Sequence, residues 1–542
     1  MNLWPRGLIL TVAYIPTGID QESAPMSQRQ ISPPPSACPP TVDQLKQQLH
    51  HQLDAIIVAC LSEPAPASFL EFETILWEFL RSLGRLLIQL FLRARHDRLD
   101  LTSWVPARGY RLADAGAPRT LKTSCGPVTY SRAFLVPRHG GGPGVHPLDI
   151  ELGLTRDAYS PLVIGWFCRL ATRVSFRLAG DLGAMFLGSA PPVSAIEEWV
   201  LGLARPAFVY LSTGPLPEDD GEVLILEIDG KAAPTATEQE LKRRRGPRSH
   251  HSRGCDCGCQ RHRGRARRQR RGRQPRRKKG DKSKNGRSAT LVVMYTLRRG
   301  VDGRLHGPCN KKVYGTFGTR HAAMNWAREQ ATRRGFPPGT HKTVQIVIDG
   351  EKCLEQQLRR LFPGAILTLD IRHAQEKLWE VGRLFQQEGS PELASWVAEL
   401  EQLLYRGHVQ TLLRRLDQEL NRVSRRGPGT KAKREKLNDV LAYLRARVKL
   451  MDYGRWKAAD LVIASGVVEG AARYVVGERL DNSGMRWVEE RAEAVLLLRC
   501  IEVNGDWDDF MEWSQAERSE KLRQGTVLQI RSKVPTQLPV AA

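Results

Sequence analysis

Long apolar runs and cysteines are both scarce in this chain. No apolar run approaches the roughly 18 residues needed to span a bilayer, so the sequence excludes an integral membrane protein. Ten cysteines in 542 residues are too few for a disulfide-stapled scaffold, and a reducing cytoplasm is the simpler prediction. Hydrophobic residues make up 41% and charged residues 26%, which argues against wholesale disorder. The length predicts about three structural units.

Acidic residues are outnumbered, and the excess of positive charge is concentrated in one segment. The chain has 82 Lys and Arg against 58 Asp and Glu, a net charge of +24. Residues 242–287 hold 21 Lys or Arg and two Asp, a net charge of +19, so the other 496 residues carry only +5. With almost no apolar side chains this segment, the basic arm, cannot form a core, and we predict that it is disordered.

The basic arm predicts a polyanionic partner, and DNA is the first candidate. A solvated linker without a specific role is the alternative. The residues predicted to contact phosphates are Arg243, Arg244, Arg245, Arg267, Arg268, Arg270, Arg271, Arg276, Arg277, Lys278 and Lys279. The arm also contains Cys255, Cys257 and Cys259. Their C-x-C-x-C spacing differs from the C-x₂₋₄-C pairs of structural zinc sites, so we predict free thiols.

The first forty residues contain one short apolar run. Residues 8–15 follow Arg6 and resemble the hydrophobic region of a signal peptide, but no small-residue cleavage site follows. A start codon assigned too far upstream, with Met26 as the true first residue, is the other interpretation. Residues 16–40 are rich in Pro, Ser and Gln, which predicts a disordered leader.

The region from residue 41 to residue 215 is predicted to be mainly helical. Apolar residues recur at helical spacing from Leu45 to Ile57, and a longer helix is predicted from Phe69 to Arg95. Residues 101–150 contain Gly, Pro and short β-type runs, which indicate a small β-containing segment. Two short helices, at 179–186 and 193–203, are compatible with a DNA-binding helix-turn-helix. An ordinary helical subdomain fits that pattern equally well.

Beyond Pro217 the pattern becomes α/β. Helices are predicted at 320–334 and 353–362. Five apolar runs predict strands, at residues 223–230, 289–296, 313–317, 344–350 and 365–370. Three hairpin-like strands followed by helix, strand, helix and strand match a ribonuclease-H-like arrangement, in which parallel strands continue an antiparallel sheet. We therefore predict an α/β ribonuclease-H-like catalytic core with a mixed five-stranded sheet.

Two of the predicted strands end in Asp-Gly, at Asp229 and Asp349. Ligands of open α/β sheets bind at the carboxyl ends of parallel strands, so these side chains could share one cleft. Glu469 lies at the edge of the apolar stripe of a predicted helix and could add a third carboxylate. A cluster of carboxylates needs a cation, and oxygen ligands suit Mg²⁺ or Mn²⁺. Each Asp-Gly alone is more often a simple turn, but two at equivalent strand ends favour a site.

Several blocks of the sequence resemble bacterial insertion-sequence transposases of the Kra type. Residues 466–480, GVVEGAARYVVGERL, continue to Trp487 and resemble the glutamate block of that family. Residues 278–287, 349–352 and 369–378 are similar to other blocks of the family. The likeness covers roughly residues 120–510, and agreement over several blocks is more specific than one motif. A cysteine pair that relatives often carry before the Pro-Leu-Asp block is missing here, so no zinc ribbon is predicted there.

The resemblance implies a DDE transposase that cleaves DNA and transfers its own element to a target. It implies that Asp229, Asp349 and Glu469 are the catalytic and metal-binding triad, with two Mg²⁺ or Mn²⁺ ions as cofactor. Asp370 and His373 resemble a Cys/Asp-x-x-His element of Mutator-like relatives and are accessory candidates; a structural histidine is the alternative. The expected partners are terminal inverted repeats, target DNA and further copies of the chain on DNA. The expected place is the nucleoid of a bacterial cytoplasm, away from membranes.

Two functions of other classes remain open. One is a ribonuclease-H-like, structure-specific nuclease that cuts DNA but never joins it. The other is a non-catalytic DNA-binding protein derived from a transposase. Short inverted repeats on either side of the gene would favour the transposase.

The predicted organisation has eight segments, including an all-helical insertion in the catalytic core whose two ends should lie together. The segments are a disordered leader (1–40), a mainly helical N-terminal region (41–215), the first core strand (216–241), the basic arm (242–287), the continued core (288–374), the helical insertion (375–459), the glutamate helix (460–505) and a C-terminal tail (506–542).

Overall fold

The computed structural model describes residues 39–61, 68–105, 109–138, 143–238, 286–482 and 485–524. The three arm cysteines, and every residue predicted to contact phosphates, lie outside these ranges, as does nearly all of the leader. The expectations about those segments therefore stay predictions.

Helices and one β-hairpin make up the N-terminal region. Helix α1 (Val42–Leu61) and helix α2 (Phe69–Asp97) come first, followed by a short 3₁₀ turn. Strands β1 (Tyr110–Thr123) and β2 (Gly126–Pro137) then form a two-stranded antiparallel hairpin. Four helices complete the region: α3 (Pro147–Glu151), α4 (Pro161–Arg173), α5 (Phe176–Leu187) and α6 (Val193–Thr213).

A mixed five-stranded sheet follows, as predicted. Its strands are β3 (Val223–Ala233), β4 (Arg287–Arg299), β5 (Leu305–Thr316), β6 (Thr343–Ile348) and β7 (Ile366–Leu369). They lie in the order β5-β4-β3-β6-β7. Strand β4 runs antiparallel to β3 and β5, whereas β6 is parallel to β3 and β7. Consecutive residues of β3 and β4 are buried, so both faces of the sheet are covered.

The remaining helices cover the sheet or form a separate helical group. They are α7 (Arg320–Arg333), α8 (Lys352–Leu361), α9 (Ile371–Gly382), α10 (Pro391–Tyr405), α11 (Val409–Arg422), α12 (Thr430–Arg445), α13 (Tyr453–Ala458), α14 (Gly466–Ala471), α15 (Glu489–Asn504) and α16 (Trp507–Arg523). A π-helical stretch, Ala472–Asp481, continues α14. The chain from α9 to α13 lies between β7 and α14, and its two ends meet where Ile371 N donates to Ile463 O at 2.9 Å.

Several predicted elements have different bounds in the structure, and three of the differences bear on the sheet and the candidate site. Strand β3 continues to Ala233, four residues past Asp229, because β4 keeps pairing with it after β6 has ended. Strand β5 has 12 residues rather than five. It is an edge strand with an exposed polar half, where Pro308 is tolerated and no apolar pattern marks the strand. The predicted glutamate helix is α-helical only to Ala471 and π-helical beyond.

One hydrophobic core connects the N-terminal helices to the sheet. Ile196 of α6, Leu224 of β3 and Leu498 of α15 are fully buried in the same cluster, and Phe510 of α16 joins it. The predicted boundary at residue 215 is therefore not a break in the packing, and the C-terminal segment begins with a packed helix. A second, small cluster joins α2, the β-hairpin and α3 through Leu92, Leu121, Val128, Tyr130 and Leu148.

Helices α5 and α6 occupy the position of the predicted helix-turn-helix. One face of α6 is buried in the main core through Ile196, Trp199 and Leu203, so this helix has a packing role. DNA binding by the pair stays a prediction. No helix within the described ranges is both long enough and apolar enough to cross a membrane.

Candidate active site

The parallel pairing of β3 and β6 brings two of the predicted site residues together. Glu227 lies opposite Val347 in the register, and two residues further along each strand are Asp229 and Asp349. Side chains point alternately to the two faces of a sheet. Asp229 therefore lies on the same face as Glu227, and Asp349 on the same face as Val347. Burial raises the pKa of Asp229, and the charge of Asp349 adds to the rise. The strands that carry or precede the two aspartates, β3 and β6, are neighbours in the sheet.

Neither aspartate is neutralised by a direct ion pair with a residue in the described part of the chain. Asp229 Oδ1 accepts a hydrogen bond from the Gly230 backbone at 2.6 Å. Asp349 Oδ1 accepts one from the Glu351 backbone at 3.0 Å, which closes a tight turn. Arg320 lies near Asp349, but its guanidinium is bound to Glu351 at 2.7 Å. A half-buried carboxylate beside an exposed one, as Asp229 beside Asp349, is the kind of pair that a cation stabilises.

The helical insertion holds the turn that follows β6. Tyr443 Oη donates to Asp349 O at 3.1 Å, and Arg447 Nε donates to Gly350 O at 2.7 Å. Gly350 has a φ of +84°, and a Cβ there would come within 2.6 Å of Arg447 Nε, so only glycine fits. The Arg447 guanidinium lies 3.8 Å from the centre of the Tyr443 ring. The backbone of Asp349 is therefore positioned by residues almost a hundred positions away in sequence.

Glu469 lies on α14, and its carboxylate forms an ion pair with the guanidinium of Arg372. The two residues also belong to a ring of hydrogen bonds that joins α9 to α14. Arg372 N donates to Asp370 Oδ1 at 2.9 Å, Ser465 Oγ donates to Asp370 Oδ2, and Glu469 N donates to Ser465 O at 3.1 Å. This ring places the start of the glutamate helix at the end of β7.

The structure assembles the predicted triad only in part. Across the residues that it describes, no three His, Cys, Asp or Glu side chains form a group that could hold a metal ion. Asp229 and Asp349 are neighbours, whereas the Glu469 carboxylate is bound by Arg372. The donor chemistry of the aspartate pair fits Mg²⁺ or Mn²⁺, which prefer carboxylate oxygens.

The two accessory candidates have different surroundings. Asp370 is fully buried, and both of its carboxylate oxygens accept hydrogen bonds, so it caps α9 and anchors α14. The His373 side chain is 40% exposed and lies 3.4 Å from Glu376, which is unlike a core histidine. It is close enough to Asp229 for its charge to lower the pKa of that carboxyl.

Glu227 is a site residue that the sequence analysis missed. It is fully buried, and burial raises its pKa. Its two carboxylate oxygens accept hydrogen bonds from Tyr295 Oη and Val468 N, both at 2.7 Å. Glu227 therefore fastens the residue before Glu469 to the strand that carries Asp229. The available signal was a lone charged residue inside the apolar run at 223–228.

Comparisons of this chain with models of protein families and with curated proteins found no match.

The basic arm is attached to the sheet beside the aspartates. Strand β3 ends at Ala233, and Arg287, where the arm returns, pairs with Ala233 at the start of β4. A strand advances about 3.3 Å per residue, so Arg287, where the arm returns to the sheet, lies within about 15 Å of Asp229. The other end of the arm, at residue 242, is separated from β3 by residues 234–241. The segment with a net charge of +19 is thus tethered to the end of the sheet that carries the acidic pair.

Proposed function

We propose that this protein is a DNA transposase of the DDE type with a ribonuclease-H-like catalytic core. The observation that carries the proposal is the parallel pairing of β3 and β6, which brings Asp229 and Asp349 together without an ion-pair partner among the described residues. The strand order β5-β4-β3-β6-β7, with β4 antiparallel, is the order expected for such a core. The block resemblance to Kra-type transposases supports the same function.

In this proposal Asp229 and Asp349 hold the metal ions, and Glu469 becomes a further ligand when it leaves Arg372. Bound Mg²⁺ would activate a water or a 3′-hydroxyl and stabilise the leaving oxygen of the scissile phosphodiester. Glu227 and Asp370 keep α14 against β3 and β7, so that Glu469 starts near the aspartates. His373, half exposed beside Asp229, can donate a proton or a hydrogen bond to a substrate oxygen there.

The DNA would be held mainly by positive charge. The basic arm would contact phosphates near the carboxylates, without sequence preference, because it returns to the sheet at Arg287, the first residue of β4. Recognition of the terminal inverted repeats is assigned to the N-terminal region. We expect the assembly on DNA to contain more than one copy of the chain.

The test is a cleavage and joining assay with the full chain, Mg²⁺ or Mn²⁺, the DNA ends that flank the gene, and a target plasmid. We expect cleavage followed by insertion into the plasmid. Asp349→Asn should keep folding and DNA binding but reduce cleavage to background, because the amide is neutral and a poor Mg²⁺ ligand. The matched control is Asp302→Asn, which changes an exposed aspartate in the β4–β5 turn that binds His306.

The other outcomes separate the alternatives. Cleavage without joining would identify a structure-specific nuclease. Binding without cleavage in the wild-type chain would leave a transposase-derived DNA-binding protein. Cleavage that survives Asp349→Asn would overturn the assignment of the site.

A further inference from the structure

A second concentration of positive charge lies in the helical insertion, where α11 is joined to α12. Residues 421–434, the basic turn, contain six Lys or Arg and no Asp or Glu, a net charge of +6. The basic arm carries +19 of the total of +24, so the remaining 482 residues together carry −1. The positive excess of the whole chain therefore belongs to two segments, and of these the basic turn lies entirely within the described residues.

The basic turn is held in place by its own hydrogen bonds. Ser424 Oγ donates to Arg426 O at 2.8 Å, and Thr430 Oγ1 donates to Gly427 O at 2.9 Å. Arg434 Nη1 donates to two carbonyls at the end of α11, both at 2.8 Å, and so satisfies backbone groups that a helix end leaves open. Arg434 therefore has a structural role, and the turn presents its other basic side chains on an ordered backbone.

Three of these side chains are exposed and not neutralised. Arg425 and Arg426 are exposed, and neither guanidinium forms a hydrogen bond or an ion pair with a described residue. The Lys431 side chain is 90% exposed, and its amine lies 4.0 Å from the carboxylate of Glu435. An exposed pair at that distance contributes little in water. Three positive charges within seven residues thus remain available to an anion.

The position of this charge is unfavourable for the helix that follows. The first turn of a helix favours Asp or Glu, because the N-terminal end of a helix is partly positive. Helix α10 of the same insertion follows this rule, with Ser390 as its cap and Glu392 in its first turn. Helix α12 begins after Gly429 without a side-chain cap, has no acidic residue in its first turn and carries Lys431 there. Departures from local preference are expected where a function requires them.

Helix α12 connects the basic turn directly to the candidate active site. Thr430 begins the helix, and Tyr443, near its other end, donates to Asp349 O at 3.1 Å. Midway, Lys436 is bound to Glu380 of α9 at 2.6 Å, which fixes α12 against the start of the insertion. A helix advances 1.5 Å per residue, so the basic turn lies about 20 Å from Tyr443. Duplex DNA advances 3.4 Å per base pair, and this distance corresponds to about six base pairs.

We propose that the basic turn binds the backbone of duplex DNA about six base pairs from the phosphodiester bond that is placed at Asp229 and Asp349. The identity of the polyanion rests on the proposed function, whereas the distance rests on α12. Arg425, Arg426 and Lys431 contact phosphate oxygens, and contacts of this kind position a duplex without reading its sequence. The basic turn therefore sets the direction in which the DNA leaves the site.

The test is the salt dependence of binding to a DNA duplex long enough to reach from the site past the turn. Binding is measured by fluorescence anisotropy with the full chain and without divalent metal. The combined variant Arg425→Gln, Arg426→Gln and Lys431→Gln should reduce the slope of log affinity against log salt by about 2–3, since each lost phosphate contact removes about 0.9. Its affinity at about 0.1 M salt should fall at least about tenfold.

The matched control removes the same charge elsewhere on the surface. Arg359→Gln, Arg383→Gln and Arg415→Gln together change three exposed arginines that are already bound to glutamates. This variant should change the slope by less than about 1, because only the long-range charge is altered. Circular dichroism checks that both triple variants fold.

The outcomes separate the basic turn from the proposed function. Equal slopes in the two triple variants would overturn the proposal, because net charge alone would then explain binding. Weaker binding to duplex RNA with unchanged binding to DNA would overturn duplex DNA as the partner. The measurement needs no cleavage, so a chain that binds but never cuts still tests the turn. A chain that cuts DNA and keeps its slope in the turn variant would refute the basic turn alone.

Footprinting checks the distance where the wild-type chain cuts. Hydroxyl-radical protection about six base pairs from the cut should disappear in the turn variant and remain in the control. Protection that persists there in the turn variant would contradict the placement of the DNA along α12.

Discussion

Strand β3 has an aspartate near each end, and the two carboxylates have different partners and oppositely shifted pKa values. Before the strand, Asp220 accepts hydrogen bonds from Arg334 Nε and Nη2 at 2.6 and 2.7 Å, and from Thr296 and Asn310. Burial acts to raise the pKa of Asp220, but the bonds from Arg334 and Thr296 outweigh it and hold the pKa at about 2. Toward the other end Asp229 forms no ion pair with a described residue, and burial raises its pKa.

The difference shows how a structural carboxylate can be told from a candidate functional one. Asp220 forms an ion pair with Arg334, and the role of this pair is to stabilise the fold. Asp229 and Asp349 form an acidic pair without an ion-pair partner among the described residues, and each carboxylate accepts a hydrogen bond from a backbone N–H group. A carboxylate with a raised pKa, such as that of Asp229, is of the kind that clusters at functional sites.

The largest effect expected from this comparison is on folding stability. Asp220→Asn should lower the free energy of unfolding by about 3–5 kcal/mol, because it leaves the buried Arg334 guanidinium without a counter-charge. Asp229→Asn should change it by less than about 1 kcal/mol, in the stabilising direction, since repulsion with Asp349 is relieved. Urea unfolding measures both. Equal losses in the two variants would remove the distinction between the two ends of β3.

Arg447 holds the turn that contains Asp349, the second aspartate of the acidic pair. Arg447→Met removes the hydrogen bond to Gly350 O, and we expect Mn²⁺ affinity to fall about 10- to 100-fold, as for other residues that orient ligands. Calorimetric titration of the DNA-free protein with Mn²⁺ is the measurement. Arg445→Met is the control, because Arg445 lies two residues earlier and is bound to Asp417 instead. Equal effects of both variants would mean that the insertion contributes only to general stability.

The pH dependence of the free energy of unfolding should reveal the stabilising contribution of Asp220. Its pKa is lowered on folding, so its stabilising contribution is present above the unfolded value near 3.8 and is lost as the pH falls through about 2. We expect about 1–2 kcal/mol to disappear in this range, allowing for partial exposure of the pair. Asp220→Asn should lack this component when unfolding is followed at pH 5 and pH 2.5. A wild-type curve parallel to that of the variant would contradict the assignment.

The smallest effect concerns Arg372. In the proposed site its guanidinium would compete with a metal ion for Glu469, so Arg372→Ala should tighten Mn²⁺ binding by up to about fivefold, the scale of an exposed ion pair. The control is Arg383→Ala, which should leave the affinity unchanged. Arg383 directly follows the same helix and is bound to Glu388 instead. Weaker Mn²⁺ binding in Arg372→Ala would show that the ion pair organises Glu469 for the metal instead of blocking it.

Much of the half of the chain that contains the five-stranded sheet was predictable because its signals are local. Each core strand is an apolar run, so the five strands and the two intervening helices could be read from the sequence, and the strand order made Asp229 and Asp349 neighbours. The ends of β3 and β5 were misjudged for a different reason. Where a strand stops depends on how long its neighbour keeps pairing with it, and β4 supplies that partner for Gly230 to Ala233.

The sequence by itself determined the elements, the concentration of charge in the basic arm and the acidic residues at the edge of the sheet, because periodicity and composition are properties of nearby residues. Only the tertiary structure decided what each carboxylate does. Glu227 and Asp370 fasten α14, and Glu469 is bound by Arg372, through contacts between residues 95 or more positions apart. A side chain's neighbours across such distances are set by the packing of whole elements, and no local pattern in the chain records them.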